Sequence, residues 1–293
     1  MKSLSVTGKK WILNNFDEEE VKIFKDNFFL DEITARLLSI KKIKKENVKN
    51  FLNPIIKNNL PNPDVLKDMN KATSRFVTAI YNEEKIGFFG DYDVDGATAT
   101  ALLGRYLDDI KKKYEFYIPD RKTEGYGPNK KSFDKLICKG ASLICTLDCG
   151  TLSFEPIEYL YKKNIDVIIL DHHQSEINLP KAHSIINPNR FDDKSDLKYL
   201  CAAGVCFMFL ISLNRALRRK NWFKENKVQE PDLITYLDLV SLGTVCDVVP
   251  LIGLNRAIVK QGLKILSLKK NLGIKTLMEL CRIENKPTPY HLG

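Results

Sequence analysis

The sequence predicts an α/β fold: a mainly parallel β-sheet flanked by helices, with a helical N-terminal segment before it and a helical C-terminal extension after it. Between about residues 85 and 170, short apolar stretches alternate with stretches that have helical spacing of apolar residues. Before residue 80 and after residue 195, the helical spacing dominates. The longest apolar run, residues 202–213, is much shorter than the roughly 20 residues that a membrane-spanning helix needs.

Each predicted strand is joined to the next by a helix, which makes neighbouring strands parallel. The predicted strands span residues 85–90, 114–118, 142–147 and 166–170, and the helices between them span 97–110, 130–138 and 154–162. Further helices are predicted at 18–29, 31–40 and 45–52 and, after the sheet, at 200–219, 231–246, 254–268 and 271–283. The pattern divides the chain into an N-terminal helical segment (1–80), an α/β domain (81–252) and the start of a helical linker (253–293).

The composition favours a soluble, cytoplasmic protein with a polyanionic partner. The 293 residues include 46 Lys and Arg against 37 Asp and Glu, a formal net charge of +9, and a basic surface attracts phosphates. The alternative is a Lys-rich composition without such a partner. The seven cysteines contain no Cys-x-x-Cys pair, which disfavours a disulfide framework or a zinc knuckle. The N-terminus lacks the apolar core of a secretory signal.

Carboxylates and two adjacent histidines lie where apolar stretches end. Because the carboxyl ends of parallel strands meet at one edge of a sheet, where α/β proteins bind ligands, we expect these side chains to converge. An unpaired carboxylate at the end of an apolar helix is costly, and a bound metal ion would remove that cost. The groups are Asp91, Asp93 and Asp95 after the first strand, Asp148 after the third, Asp171, His172 and His173 after the fourth, and Asp247 at the end of the 231–246 helix.

These side chains are typical of a site in which two divalent cations act on phosphate groups, because such cations prefer carboxylate oxygens and some also accept imidazole. In segment 91–96, an extended backbone would place alternate carboxylates on one face, and Gly96 would free the turn into the next helix. A calcium-binding EF-hand begins similarly, but it needs a preceding helix and a Glu where this chain has Leu102. Simpler alternatives are a helix cap for Asp148 and a surface turn for the histidines.

The order of these motifs resembles that of the DHH phosphoesterase superfamily, and within it the RecJ-type single-strand-specific exonucleases. The resemblance extends over roughly residues 60–293, and it implies a parallel-sheet α/β domain, in agreement with the strand and helix pattern. The matching segments are residues 89–96, 119–127, 147–150, 171–173, 200–205, 242–251 and 255–256.

The resemblance also implies a pair of Mn²⁺ or Mg²⁺ ions that hydrolyse a phosphodiester bond. One group of side chains would bind each ion, and others would orient the site or contact the substrate. The implied residues are Asp91 and Asp93 for one ion; Asp95, His172 and Asp247 for the other; Asp148 for both; Asp171 for orientation; His173 for the scissile phosphate or leaving group; and Arg121, Tyr126 and Arg256 for phosphate or nucleic acid.

The implied activity is that of a 5′-to-3′ exonuclease on single-stranded DNA in repair and recombination. Two alternatives stay open: a phosphodiesterase of the same superfamily for cyclic dinucleotides or oligoribonucleotides, and a nucleic-acid-binding relative without catalysis. Branches of the superfamily that cleave pyrophosphate or very short oligonucleotides carry a His-x-x-x-Asp-x-Asp pattern, and this chain has Phe89 at the position of that His. RecJ-type chains usually carry Gly where this chain has Ala202. The family continues into a second domain that closes over DNA, so this chain is expected to be a fragment or to lack that clamp.

Overall fold

A five-stranded sheet forms the centre of the α/β part of the protein in the computed structural model, which describes residues 4–10, 12 and 14–293. The strands are β1 (Ile86–Gly90), β2 (Tyr114–Tyr117), β3 (Leu143–Leu147), β4 (Asp166–Leu170) and β5 (Ser184–Ile186). Their order across the sheet is β2-β1-β3-β4-β5, and every neighbouring pair is parallel. The predicted α/β class with a mainly parallel sheet is confirmed.

Helices precede, connect and follow the strands. The N-terminal ones are α1 (Glu18–Phe28), α2 (Glu32–Ile40), α3 (Val48–Leu52) and α4 (Ile56–Asn59). The next are α5 (Met69–Tyr81), α6 (Val94–Asp109), α7 (Lys130–Cys138), α8 (Phe154–Lys162) and α9 (Ala202–Arg219). The last are α10 (Trp222–Glu225), α11 (Leu237–Cys246), α12 (Gly253–Leu266), α13 (Leu272–Leu280) and α14 (Pro289–Leu292). Within the described residues, every helix is too short or too polar to cross a membrane.

Helices cover both faces of the sheet, so its inner strands are mostly apolar. Every residue of β1 and β3 is buried. On one face, Phe133 of α7 and Ile157 of α8 join Phe89 of β1 in a single buried cluster. On the other face lie α6 and α9, and α5 packs against α9, where Thr73 donates a hydrogen bond to Ser212 (3.0 Å).

Strand β5 is an addition to the four predicted strands. With three residues it is too short to show a periodic pattern, but it is completely buried and pairs with β4. It extends the edge at which the strands end, because Asp171 donates its backbone N–H to Ile186 (3.1 Å). Asn187, the next residue, therefore lies beside the segment that follows β4.

Helix α6 begins at Val94 rather than at residue 97, because Asp93 caps it by accepting the N–H of Gly96 (2.9 Å). Asp95 therefore lies in the first helical turn, and the prediction of an extended 91–96 segment is wrong. The predicted turn role of Gly96 is wrong as well. A Cβ at Gly96 would meet the backbone oxygen of Asp91 at 2.6 Å, so the glycine lets the loop after β1 pack directly on the helix.

The chain divides into two compact units between Asn58 and Asn59. In the first unit, α1 and α2 pack around Phe24 and Leu38. Asp17 caps α1 by accepting backbone N–H groups of its first turn. The division predicted at 80/81 and 252/253 stays a prediction.

Replacing Gly262 with Ala is expected to destabilise the protein by about 1–3 kcal/mol, because α12 and α11 leave no room for a Cβ. The added carbon would overlap the carbonyl oxygen of Leu237 and the side chain of Ser241. The free energy of unfolding in urea measures the effect. Gly273→Ala in α13 is the matched control: its Cβ would meet no atom closer than 3.5 Å, so we expect no loss and a gain of up to about 1 kcal/mol. Equal stabilities of the two variants would contradict this packing limit.

Candidate metal centre

The carboxyl-terminal edge of the sheet gathers all of the predicted carboxylate and histidine side chains. The potential ligand atoms form three groups, and the atoms within each group all lie within 4.8 Å of one another. Asp171 joins them through Nδ1 of His173, which lies 2.8 Å from its carboxylate. The groups are Asp91, Asp93 and Asp148; Asp95, His172 and Asp247; and Asp148, His172 and His173.

Asp148 belongs to two of these groups, and its backbone is strained. Its N–H donates to the carbonyl of Leu170 (2.9 Å), which ties the end of β3 to the end of β4. Its φ of +63° lies in the left-handed region, which is costly for a residue other than glycine. The alternative that Asp148 caps the next helix is wrong, because Ser153 is the residue that precedes α8.

Asp95 links α6 to α9 at the centre of the site, and α11 packs closely against it. From the first turn of α6, its carboxylate accepts the backbone N–H groups of Ala202 (2.5 Å) and Ala203 (2.9 Å) at the start of α9. Helix α11 also approaches closely because Gly243 has no side chain: a Cβ there would lie 2.8 Å from Oδ1 of Asp95. This approach brings Asp247, the residue after α11, into the ligand group.

The imidazole of His172 lies among the carboxylates of Asp95, Asp148 and Asp247. Its Nε2 is 3.2 Å from Asp148 Oδ1, 3.6 Å from Asp247 Oδ2 and 3.7 Å from Asp95 Oδ2. Within the described part of the chain, those oxygens of Asp148 and Asp247 make no hydrogen bond, and neither does Oδ1 of Asp91. Buried carboxylate oxygens without partners are costly, and divalent cations take this mixture of oxygen and imidazole ligands. The side chains present therefore fit such cations.

Burial and mutual repulsion oppose the ionisation of these carboxyl groups in the cation-free protein. Burial, followed by the charges of Asp95 and Asp93, raises the pKa of Asp148 to about 10. Burial is also the main reason that the pKa values of Asp91 and Asp247 are each raised to about 6. The pKa of Asp95 is raised, again chiefly by burial. A bound cation would favour the ionised forms.

Asp171 orients His173 and the turn that carries it. One carboxylate oxygen accepts the backbone N–H groups of His172 (2.7 Å) and His173 (3.1 Å) as well as Nδ1 of His173. The other accepts the N–H of Thr151 (3.0 Å). Burial alone would raise the pKa of Asp171, but the hydrogen bond and charge of His173, together with Thr151, hold this pKa well below its usual range. The same pairing raises the pKa of His173.

Aromatic and basic side chains lie beside the carboxylates. The hydroxyl of Tyr126 donates to the backbone oxygen of Asp148 (3.3 Å) and lies 3.4 Å from both ring nitrogens of His173. The rings of Tyr126 and Tyr92 meet edge to face, and the guanidinium of Arg121 lies 5.3 Å from the centre of the Tyr92 ring. The structure thus brings the predicted Arg121 and Tyr126 to the site.

Arg256 lies in the first turn of α12, where burial lowers its pKa, and its role in nucleic-acid binding stays a prediction. Sequence reasoning missed other polar residues beside the histidines, namely Thr151, Asn187 and Asn189. The available signal was their position directly after β3 and β5, but β5 itself was too short to be recognised.

Comparison with known proteins identifies the α/β domain. The N-terminal domain of the DHH family matches residues 85–244. The chain belongs to the DHH family. Among DHH proteins, the single-stranded-DNA-specific exonuclease RecJ of Salmonella typhimurium is 40% identical over 221 residues, which is 73% of this chain and 38% of that protein. The RecJ of Bacillus subtilis is 33% identical over 272 residues, which is 92% of this chain and 33% of that protein.

A solved DHH-family structure shares the fold. The crystal structure of exonuclease RecJ bound to manganese has a TM-score of 0.65 and 29% sequence identity, and the match covers 78% of this chain and 55% of that one. The chain spans only about a third of the length of the curated relatives that it matches, 38% and 33% for the two proteins above.

The Asp148→Asn variant is expected to be more stable than the unchanged protein when both are metal-free, by about 1–3 kcal/mol, because the amide is neutral without binding a proton, whereas the carboxyl of Asp148 must take up a proton to be buried without charge. Since the pKa of Asp148 is raised to about 10 in the folded state, the folded state holds the proton more tightly than the unfolded one. The metal-free protein should therefore lose stability as the pH rises from about 4 toward 10, and the variant should lose less. Thermal unfolding across this range measures both effects.

The control is Asp196→Asn, which changes an exposed carboxylate of the same unit. It should leave the melting temperature and its pH dependence unchanged. A metal-free Asp148→Asn protein that melts below the unchanged protein would contradict the electrostatic account of the site.

Proposed function

We propose that this chain is the catalytic part of a metal-dependent exonuclease that degrades single-stranded DNA from its 5′ end. The observation that carries the proposal is the pair of ligand groups that Asp148 links, because two neighbouring cations at such a site act on phosphodiester bonds. The similarity to two proteins named single-stranded-DNA-specific exonuclease supports the substrate. The 5′-to-3′ direction and a role in DNA repair and recombination rest on the family resemblance and belong to the proposal.

Mn²⁺ or Mg²⁺ ions are the proposed cofactors, and the similar RecJ crystal structure is bound to manganese. When bound, two such ions supply charge neutralisation for the phosphate and an activated water nucleophile. The chain contributes fixed carboxylates whose spacing is set by the sheet edge and by the helix contacts of Asp95. The proposed ligands are Asp91 and Asp93 for one ion, Asp95, His172 and Asp247 for the other, and Asp148 for both.

His173 is proposed to act on the scissile phosphate or on the leaving oxygen. Asp171 accepts the hydrogen bond from Nδ1 and raises the pKa of this imidazole, so more of it is protonated near neutral pH. The ring edge with Nε2 lies beside the Tyr126 hydroxyl. A protonated ring in this position can donate a hydrogen bond to a phosphate oxygen or a proton to the leaving group.

The strand is proposed to bind along the side formed by Arg121, Tyr92 and Tyr126. The planar guanidinium of Arg121 suits a phosphate group. Tyr126 is 57% exposed and offers a ring on which a base can stack. Arg256 is proposed to contact a further phosphate, and the net charge of +9 supports a polyanionic substrate.

Phe89 is one reason to prefer this substrate over pyrophosphate or very short oligonucleotides. It stands where those branches carry a histidine, and it is fully buried with its ring 5.9 Å from that of Phe133. Asp91 instead completes the ligand group with Asp93. A non-catalytic nucleic-acid-binding protein is less well supported, because every proposed ligand position carries a suitable side chain.

A cytoplasmic location is also part of the proposal. All seven cysteines are free thiols, which is the state expected in a reducing compartment. The fully buried ones, such as Cys145 and Cys206, behave as small apolar residues.

The test is a time course on long single strands labelled at either end, with Mn²⁺ or with a chelator. A 5′ label is expected to leave as a short product at early times, while a 3′ label persists on progressively shorter strands. Asp148→Ala should abolish cleavage, and His173→Ala should lower the rate by about 10²–10⁴-fold while Mn²⁺ still binds. Asp196→Asn should cleave normally.

Cleavage that persists in Asp148→Ala or in chelator would overturn the catalytic assignment. Faster turnover of a dinucleotide than of a long strand would instead favour a cyclic-dinucleotide or oligoribonucleotide phosphodiesterase.

A further inference from the structure

The turn that carries the two histidines has each of its peptide groups bound by a side chain. On the nitrogen side, Asp171 accepts both backbone N–H groups, as described above. On the oxygen side, Asn189 donates its Nδ2 to the carbonyl of His172 (2.5 Å), and Asn187 donates its Nδ2 to the carbonyl of His173 (2.9 Å). Both asparagines come from the segment that follows β5, so they reach the turn across the edge of the sheet.

Asn187 uses its whole amide group in this contact. It is fully buried, and its Nδ2 also donates to the hydroxyl of Thr151 (2.9 Å), while its Oδ1 accepts the N–H of Asn189 (2.8 Å). Thr151 in turn donates its N–H to Asp171. Asn187, Thr151, Asp171 and His173 therefore form a closed ring of hydrogen bonds, and Asn189 is attached to it.

This geometry requires amide side chains. An aspartate of the same shape would direct an oxygen at a backbone carbonyl, which is repulsive, and an alanine would leave a buried carbonyl without a donor. Helix and strand ladders cannot supply the donors, because residues 171–173 lie between β4 and β5 and belong to neither.

We infer that Asn187 and Asn189 are positioning residues with separate tasks: Asn189 holds His172 among the carboxylates, and Asn187 holds His173 toward the reacting phosphate. The inference rests on the proposed function for the roles of the two imidazoles. We assign separate tasks because Asn189 donates to the carbonyl of His172, whereas Asn187 donates to the carbonyl of His173. Side chains that orient metal ligands typically change metal affinity or activity by about 10–100-fold when they are removed.

The experiment compares Asn189→Ala, Asn187→Ala and the control Asn226→Ala in the full chain. Asn226 also donates its Nδ2 to a backbone carbonyl, that of Trp222 (2.9 Å), but it lies at the end of α10. Titration calorimetry with Mn²⁺ alone gives the metal affinity, and steady-state cleavage of a single strand gives kcat and KM separately.

Asn189→Ala is expected to weaken Mn²⁺ binding by about 10–100-fold. Asn187→Ala is expected to lower kcat by a similar factor, with KM and Mn²⁺ affinity within about twofold. Asn226→Ala should change neither quantity, although it also loses a hydrogen bond from a side-chain amide to a backbone carbonyl.

The proposal is overturned if both site variants keep full Mn²⁺ affinity and kcat, or if both lose the two properties equally, as a general loss of structure would cause. Should an alanine variant fail to fold, Asn189→Ser or Asn187→Ser takes its place with the same expected results, because a serine side chain adds no charge and is too short to reach the same carbonyl. If the unchanged protein binds Mn²⁺ but cleaves no strand, the proposed function fails. The inference is then tested by Mn²⁺ titration and by NMR, neither of which needs cleavage. Long-range ¹H–¹⁵N NMR reports the environment of both imidazoles through their ring-nitrogen resonances. Asn187→Ala should shift those of His173 and leave those of His172 unchanged, and unchanged His173 resonances would contradict the inference.

Discussion

The structure depends on crowding several carboxyl groups into one buried sheet edge. Like charges in a low-dielectric setting repel one another strongly, so each carboxylate needs a compensating group or stays protonated. The protein compensates some of them internally. Asp95 accepts two N–H groups from the start of α9, and Asp171 accepts backbone N–H groups and a histidine. Among the residues that the structure describes, the buried carboxylate oxygens without a hydrogen bond belong to Asp91, Asp148 and Asp247, and these define the place where positive charge has to be supplied from outside.

The backbone geometry of the site follows from the same demand. Residues that follow neighbouring parallel strands leave the sheet at the same edge. Asp148 places its side chain there with a positive φ that glycine would adopt at a lower energetic cost. Close approach is obtained at Gly96 and Gly243, where any side chain would strike Asp91 or Asp95. The site is therefore built by tight backbone packing around charges, an arrangement that sacrifices stability in the metal-free state.

The sequence carries most of the information on the fold and on the ligands, for physical reasons. Strands buried on both faces appear as short apolar runs, and parallel order implies that the following residues meet. The convergence of Asp91, Asp148 and His172 could therefore be predicted. The helical start at Val94 depended on a capping bond of Asp93, and β5 was hidden by its length. The bond from Ala202 to Asp95 joins residues 107 apart in sequence, and no local pattern reports such a contact.

The double use of Asp95 has a consequence for relatives that have abandoned chemistry. Its carboxylate anchors the start of α9 whether or not a cation is present, so a protein that kept only the fold would still be under pressure to retain it. In the described part of the chain, Asp91 and Asp247 each have a buried carboxylate oxygen without a hydrogen bond, and neither side chain anchors the start of a helix as Asp95 does. To judge whether a DHH protein still binds metal ions, the residues at those two positions are therefore more informative than the aspartate at the position of Asp95.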